Sequence, residues 1–248
     1  MRHCKWISAL DLNRWAQTNG ARPLLPELMR RLAYASVPQG DLKHITFSGG
    51  DEGQRPGYDG ITANAFASVN DFALPANSKD AALLVSLPLD GYTAQVNGAG
   101  TSTGVALIEV YEADIGTPVA RFTALSARNQ VGTGDNIIIA GFVVTGNAPK
   151  TLLIRGIGPT LANYGVSGVL ADPKLDLYSG NTRIDGNDNW GGAAAVSSAF
   201  TVTGAFPLPA NSKDAALLVT LQPGLYSAQV SGVNNTTGIA LVEVYEVP

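Results

Sequence analysis

Histidine and cysteine are almost missing from this chain: 248 residues hold two histidines and one cysteine. Cys4 alone excludes an intramolecular disulfide and, with His3 and His44 confined to the front of the chain, excludes a His/Cys zinc site. Residues 61–248 contain no histidine, so a Ser-His-Asp triad cannot be built there. No apolar run reaches the roughly 18 residues that span a bilayer. Basic residues at the start, Met1-Arg-His-Cys-Lys, are followed by no apolar stretch of the kind a secretory signal needs. The chain is expected to stay in the cytoplasm as written. Aromatic residues are few, at 7%, and charged ones make up 15%.

What is present suits a core-forming protein of short strands and many turns. Hydrophobic residues reach 45%, with 28 glycines and 14 prolines. The net charge of −4 does not favour nucleic-acid binding. It is unevenly spread: residues 1–44 hold seven basic side chains against three acidic, a surplus of four, which leaves −8 for the rest. That asymmetry points to two segments of different origin.

The strongest signal is an internal repeat. Phe72-Ala-Leu-Pro-Ala-Asn-Ser-Lys-Asp-Ala-Ala-Leu-Leu-Val returns as Phe206-Pro-Leu-Pro-Ala-Asn-Ser-Lys-Asp-Ala-Ala-Leu-Leu-Val. Tyr92-Thr-Ala-Gln-Val returns as Tyr226-Ser-Ala-Gln-Val, and Gly104-Val-Ala-Leu-Ile-Glu-Val-Tyr-Glu as Gly238-Ile-Ala-Leu-Val-Glu-Val-Tyr-Glu. No gap is needed from Phe66 and Phe200 onward, so the unit is duplicated.

The repeat reads as strands. In Gly238–Val247, Ala240, Val242 and Val244 share one apolar face, and Ile239, Leu241, Glu243 and Tyr245 a mixed one. Pro223-Gly224 is a turn signal before the next alternating run. Upstream of the second copy, Ile137–Val144 and Thr151–Ile157 are apolar and bounded by glycine. Leu175-Asp-Leu-Tyr and Thr182-Arg-Ile-Asp flank the turn Ser179-Gly-Asn. The expected fold class is mainly β: an antiparallel β-sandwich over residues 134–248, a half repeat over 61–114, a linker over 115–133 and a short α/β segment over 1–60. In that front segment, Ser8-Ala-Leu-Asp11 resembles a capped helix start. Pro26 followed by Glu27–Ala35 reads as a second helix with Leu28 and Leu32 on one face, and His44–Phe47 as a short strand. With no full upstream half of its own, residues 65–113 are expected to expose a sheet face and to favour self-association.

Two resemblances attach to these residues. Ala127-Arg-Asn-Gln-Val-Gly-Thr-Gly-Asp, Ile139-Ala-Gly-Phe, Leu153-Ile-Arg-Gly-Ile-Gly-Pro-Thr-Leu, Asp188-Asn-Trp-Gly and Glu243-Val-Tyr-Glu resemble a repeat module of large secreted or surface-anchored bacterial proteins. That likeness implies a β-sandwich accessory domain, often beside immunoglobulin-like modules, without catalytic residues. Trp15-Ala, Leu24-Leu-Pro-Glu-Leu-Met-Arg-Arg-Leu, Gly49-Gly-Asp and Pro56-Gly-Tyr-Asp-Gly resemble the leading edge of a restriction-endonuclease-like domain of bacterial defence proteins. The resemblance implies a metal-binding acid, Asp59, and then a Glu-x-Lys strand. Glu109-Val-Tyr and Glu112-Ala-Asp offer no such lysine. A chimeric reading frame joined near Gly60 is the remaining account of the junction.

Few residues stand out as chemistry. Asp185, Asn187 and Asp188 gather oxygen donors in a glycine-containing loop, a donor set that suits Ca²⁺; an Asx-rich turn is the plainer reading. No other cofactor is expected. Ser78-Lys79-Asp80 and Ser212-Lys213-Asp214 place serine beside lysine, but neighbours on a strand point apart. Glu109 and Glu243 read as structural carboxylates, and Trp190 as a core anchor rather than a sugar platform. The expected function is a non-enzymatic interaction or stalk module whose partner is a protein or a surface polymer. The competing reading is a nuclease-related defence protein without its catalytic core.

Overall fold

The computed structural model describes residues 5–11, 29–36, 42–48, 66, 69, 80–87, 91–98, 104–113 and 122–248. They divide into two compact units, Met1–Phe122 and Thr123–Pro248.

The second unit is an antiparallel β-sandwich. Its strands are β7 (Ala124–Val131), β8 (Ile138–Val144), β9 (Lys150–Ile157), β10 (Pro173–Ser179), β11 (Thr182–Asn187), β12 (Ala215–Leu221), β13 (Gly224–Gly232) and β14 (Gly238–Glu246), with one helix, α1 (Ala194–Thr203), after β11. One sheet runs β11-β10-β13-β8 and the other β12-β9-β14-β7. Pro223-Gly224 therefore carries the chain from one sheet to the other rather than closing a hairpin. The turn at Gly180-Asn181 does close one, with Ser179 opposite Thr182 and Gly180 at φ 55°.

Alternation decides what faces the core. Ile138, Ala140, Phe142 and Val144 of β8 point inward, as do Ala240, Val242 and Val244 of β14. The mixed face of β14 is covered too. Leu241, Tyr245 and Val247 pack with Leu153, Ile157 and Ala216 under Val196, Ala199 and Phe200 of α1. The β9–β14 sheet is thus a middle layer, which is why β9 reads as a nearly continuous apolar run. Helix α1 carries no side-chain cap and ends on Gly204 at φ 72°. Its signal was an alanine run followed by glycine.

The segment 115–133, expected as a linker, contains β7. All eight of its residues pair with β14, from Ala124 opposite Tyr245 to Val131 opposite Gly238.

The first unit also differs from expectation. Ser8–Asp11 lies in β1 (Lys5–Asp11) and not at a helix start. The segment Glu27–Ala35, expected as helix, overlaps a strand instead, β2 (Met29–Ser36). The expected strand at His44–Phe47 is present as β3 (Leu42–Ser48). The repeat supplies β4 (Ala81–Leu87), β5 (Thr93–Gly98) and β6 (Val105–Glu112). Strand β6 lies between β1 and β2, and β2 pairs on its other side with β4. Strand β3 pairs with β5. The order β1-β6-β2-β4 is the order β7-β14-β9-β12 of the second unit. The physical reason is long-range pairing. A strand like β6 needs a partner at each edge, and backbone hydrogen bonding across a sheet overrides a weak local helix preference. Both edges of β6 are paired, so the exposed-edge expectation does not hold for that strand.

Residues 123–248 expressed alone are expected to unfold in one cooperative transition. Trimming to 134–248 removes β7 and bares one edge of β14, and should lower the melting temperature by several degrees. Equal melting of the two fragments would contradict the pairing assigned to β7.

Candidate functional site: a buried Arg155–Glu243–Tyr245 cluster

Arg155 sits in the middle of β9 with 0% exposure, directly opposite Glu243 of β14. Its Nε donates to Glu243 Oε2 at 2.8 Å, and a terminal nitrogen donates to the same oxygen. The other terminal nitrogen donates to the Phe206 carbonyl at 2.5 Å. The guanidinium carbon lies 4.3 Å from the ring centre of Phe206 and 5.0 Å from that of Phe200. Tyr245 completes the cluster, its hydroxyl donating to Glu243 Oε1 at 2.8 Å. Burial, reinforced by the Glu243 carboxylate, pushes the Tyr245 phenol well above its ordinary value. Both carboxylate oxygens are hydrogen-bonded and the phenol holds its proton. Nothing here is poised as a base or nucleophile. The cluster ties β9 and β14 to the segment after α1 that covers them.

A second buried carboxylate works in the same way. Asp214, 0% exposed, accepts from Gly158 N at 2.8 Å and from the Thr160 hydroxyl. It thereby caps the short 3₁₀ turn Pro159–Tyr164 from 54 residues away in sequence. The three residues Ser212-Lys213-Asp214 diverge: the Lys213 amine pairs with Asp172 while Asp214 turns to Gly158. That geometry supplies no Ser/Lys couple. Ser78 and Lys79 lie outside the described residues. Trp190 is an anchor, 6% exposed, its indole nitrogen donating to the Pro209 carbonyl at 2.8 Å and its ring 5.2 Å from Phe200.

The three candidate Ca²⁺ ligands each turn to a different partner. Asp185 Oδ1 accepts from Gly186 N at 2.8 Å. Asn187 Oδ1 accepts from Ala216 N at 3.0 Å while its amide nitrogen donates to the Asn189 carbonyl. Asp188 Oδ1 accepts from the Asn189 amide at 3.3 Å. Among the described residues no group of three or more His, Cys, Asp or Glu gathers to hold a metal. Asn187 is a cross-link between β11 and β12. Glu109, buried at 1%, accepts from Tyr111 as Glu243 does from Tyr245, but the residue opposite it in register is Tyr34, not arginine. Asp59 lies outside the described residues. No described helix is long and apolar enough to cross a membrane.

Arg155 and Asp214 went unread as key residues. The available signal was a lone charge inside an apolar strand, Leu152-Leu-Ile-Arg-Gly-Ile, and an acid immediately before another, Asp214-Ala-Ala-Leu-Leu-Val.

No family model and no curated protein matches the chain. Among solved structures, it is similar to the major capsid protein P2 from bacteriophage PM2, with 10% identity, 97% of both chains covered and a TM-score of 0.23. It is similar to a structure described by the triple jelly roll fold and turret assembly in an archaeal virus, with 15% identity over 91% of this chain and 54% of that one, TM-score 0.22. Sulfolobus Turreted Icosahedral Virus gives 15% identity over 96% and 59%, TM-score 0.22.

Replacing Arg155 with methionine leaves the Glu243 carboxylate buried without its cation, at a cost of about 3–5 kcal/mol. The double change Arg155→Met with Glu243→Met should recover much of that loss in denaturant titration. On β10, burial raises the Asp176 carboxyl while hydrogen bonds from Lys174 and Arg183 lower it, with a net shift below the ordinary value. A depressed folded-state value contributes stability above the unfolded pKa of about 3.9 that is lost as pH falls through the folded value. Asp176→Asn should therefore flatten the acid limb of the stability profile and leave the slope above pH 6 unchanged.

Proposed function

We propose that residues 123–248 form a non-catalytic β-sandwich interaction module of the extracellular type, displayed as a side branch rather than strung as a load-bearing stalk. The observation that carries this is the position of its two ends. Glu246 N donates to Thr123 O at 2.9 Å, and Tyr245 stands opposite Ala124. Entry and exit of the unit are neighbours on adjacent antiparallel strands, so tension applied through the chain would unzip β7 from β14 one pair at a time.

The buried ionisable groups support the non-enzymatic part. Arg155, Glu243 and Asp214 are each committed to holding layers or turns together. The resemblance to surface-protein modules agrees with it. The partner on this reading is a protein or surface polymer.

Two measurements test the reading. Pulled between residues 123 and 248, the unit should unfold at several-fold lower force than when pulled between residues 131 and 246, where β7 and β14 must shear. Similar forces would overturn the side-branch geometry. Incubated with chromogenic esters and glycosides, and with plasmid DNA and Mg²⁺, the full chain should show no turnover. Activity that disappears in Asp59→Ala, Asp214→Asn or Glu243→Gln would overturn the non-catalytic assignment.

A further inference from the structure

The half of the second unit formed by β7–β11 is completed by residues 200–246. Each buried residue from Phe206 to Glu246 recurs 134 positions earlier, with one exception: Val242 is matched by Ile108. The recurrence includes the groups that grip the upstream half. Glu243 and Tyr245 return as Glu109 and Tyr111, and the aromatic pair Phe200 and Phe206 as Phe66 and Phe72. Asp214, which caps the 3₁₀ turn, returns as Asp80. Lys213 and Glu246, paired with Asp172 and Lys150, return as Lys79 and Glu112.

Backbone shape is matched at the tightest point. A side chain at Gly238 would meet Leu170 N at 2.5 Å, because Val169 and Leu170 run against this strand through Leu170 N to Ile239 O and Ile239 N to Gly168 O. The first copy keeps that glycine as Gly104. From Phe72 onward its differences are Ala73, Ser86, residues 88–91, Thr93, Asn97, residues 99–102, Val105 and Ile108; before Phe72, residues 67–71 differ throughout, with Asp71 where the second copy has the buried Ala205.

We infer that residues 123–187 are a docking surface for the repeated segment as such, and that residues 66–112 of the same chain compete with 200–246 for it. Both competitors are tethered close by. Eleven residues separate the end of β6 from the start of β7, and twelve separate the end of β11 from Phe200. Loop-closure cost depends on the logarithm of length, so neither tether gives its segment a decisive advantage. In the exchanged pairing Glu109 takes the place opposite Arg155, and Val105 the place of Ile239 opposite Gln130. Near-identical neighbouring repeats are prone to misassembly of just this kind. The inference rests on residue identity and register and is independent of the proposed function.

Paired cysteines read the competition directly in the full chain carrying Cys4→Ser. Val105→Cys with Gln130→Cys reports the exchanged pairing; Ile239→Cys with Gln130→Cys reports the native one. After refolding and oxidation, intact mass and peptide mapping should show both bridges, each within one chain. Adding Gly238→Ala should raise the Val105–Gln130 bridge several-fold, because it obstructs only the second segment, and Gly104→Ala should abolish it. A Val105–Gln130 pair that stays reduced while Ile239–Gln130 closes fully would overturn the inference. So would a Val105–Gln130 bridge found only between chains.

Discussion

A guanidinium with no exposure to water, set in the middle of a sheet, constrains the whole second unit. Removing Arg155 from solvent is costly, and the cost is offset only where geometry is complete. That completeness draws on three places in the sequence: Glu243 on β14, the Phe206 carbonyl after α1, and the faces of Phe200 and Phe206. None can shift without exposing an unpaired charge. The register of β14 on β9 is therefore set by charge as well as by apolar alternation. A slip of one residue would turn Glu243 to the other face and place Val242 or Val244 against the guanidinium.

The arrangement also explains why the middle sheet is covered on both sides. A β-strand with a charged residue on one face is usually half solvated. Here α1 and the segment from Trp190 to Leu208 close over that face and provide aromatic rings to the cation. The turn after β9 is held from below by Asp214, and the loop after β11 is pinned to β12 by Asn187. Arg155, Glu243, Asp214 and Asn187 each tie one layer or turn of this three-layer packing to another.

Strands were legible where period two was clean. Ala240, Val242 and Val244 were assigned to the core from alternation alone and are buried. The hairpin at Gly180-Asn181 followed from its turn residues. The fate of the mixed face of β14 was not legible, because alternation says which residues share a face and not what covers it. Helix α1 (Ala194–Thr203) gives little sequence signal because it carries no side-chain cap and no charged residue in its first or last turn. Glu27–Ala35 reads as helix because Leu28 and Leu32 satisfy a four-residue spacing as well as an even one, but residues 29–36 form β2. The deciding factor, the vacant edge of β6, lies more than seventy positions away. At the loop of Asp185, Asn187 and Asp188, the sequence shows the oxygen donors but not the hydrogen-bond partners each one takes. For Asn187 that partner is the amide of Ala216, 29 residues on.

Strand order in the two units bears on what a repeat must preserve. Strands β4, β5 and β6 duplicate β12, β13 and β14 almost letter for letter, whereas β1 and β2 share no comparable wording with β7 and β9. Yet β6 finds one partner on each side and β4 lies beyond β2, as β12 lies beyond β9. Sheet hydrogen bonds are made by the backbone and do not depend on side-chain identity, so an alternating strand of sufficient length can fill an edge position. Side chains then decide how well it is held. Opposite Glu243 the second unit places arginine; opposite Glu109 the first places Tyr34. The duplicated strands carry enough instruction to rebuild the order of a sheet. In the second unit, the pairing that locks the order comes from Arg155 of the upstream half, across from Glu243.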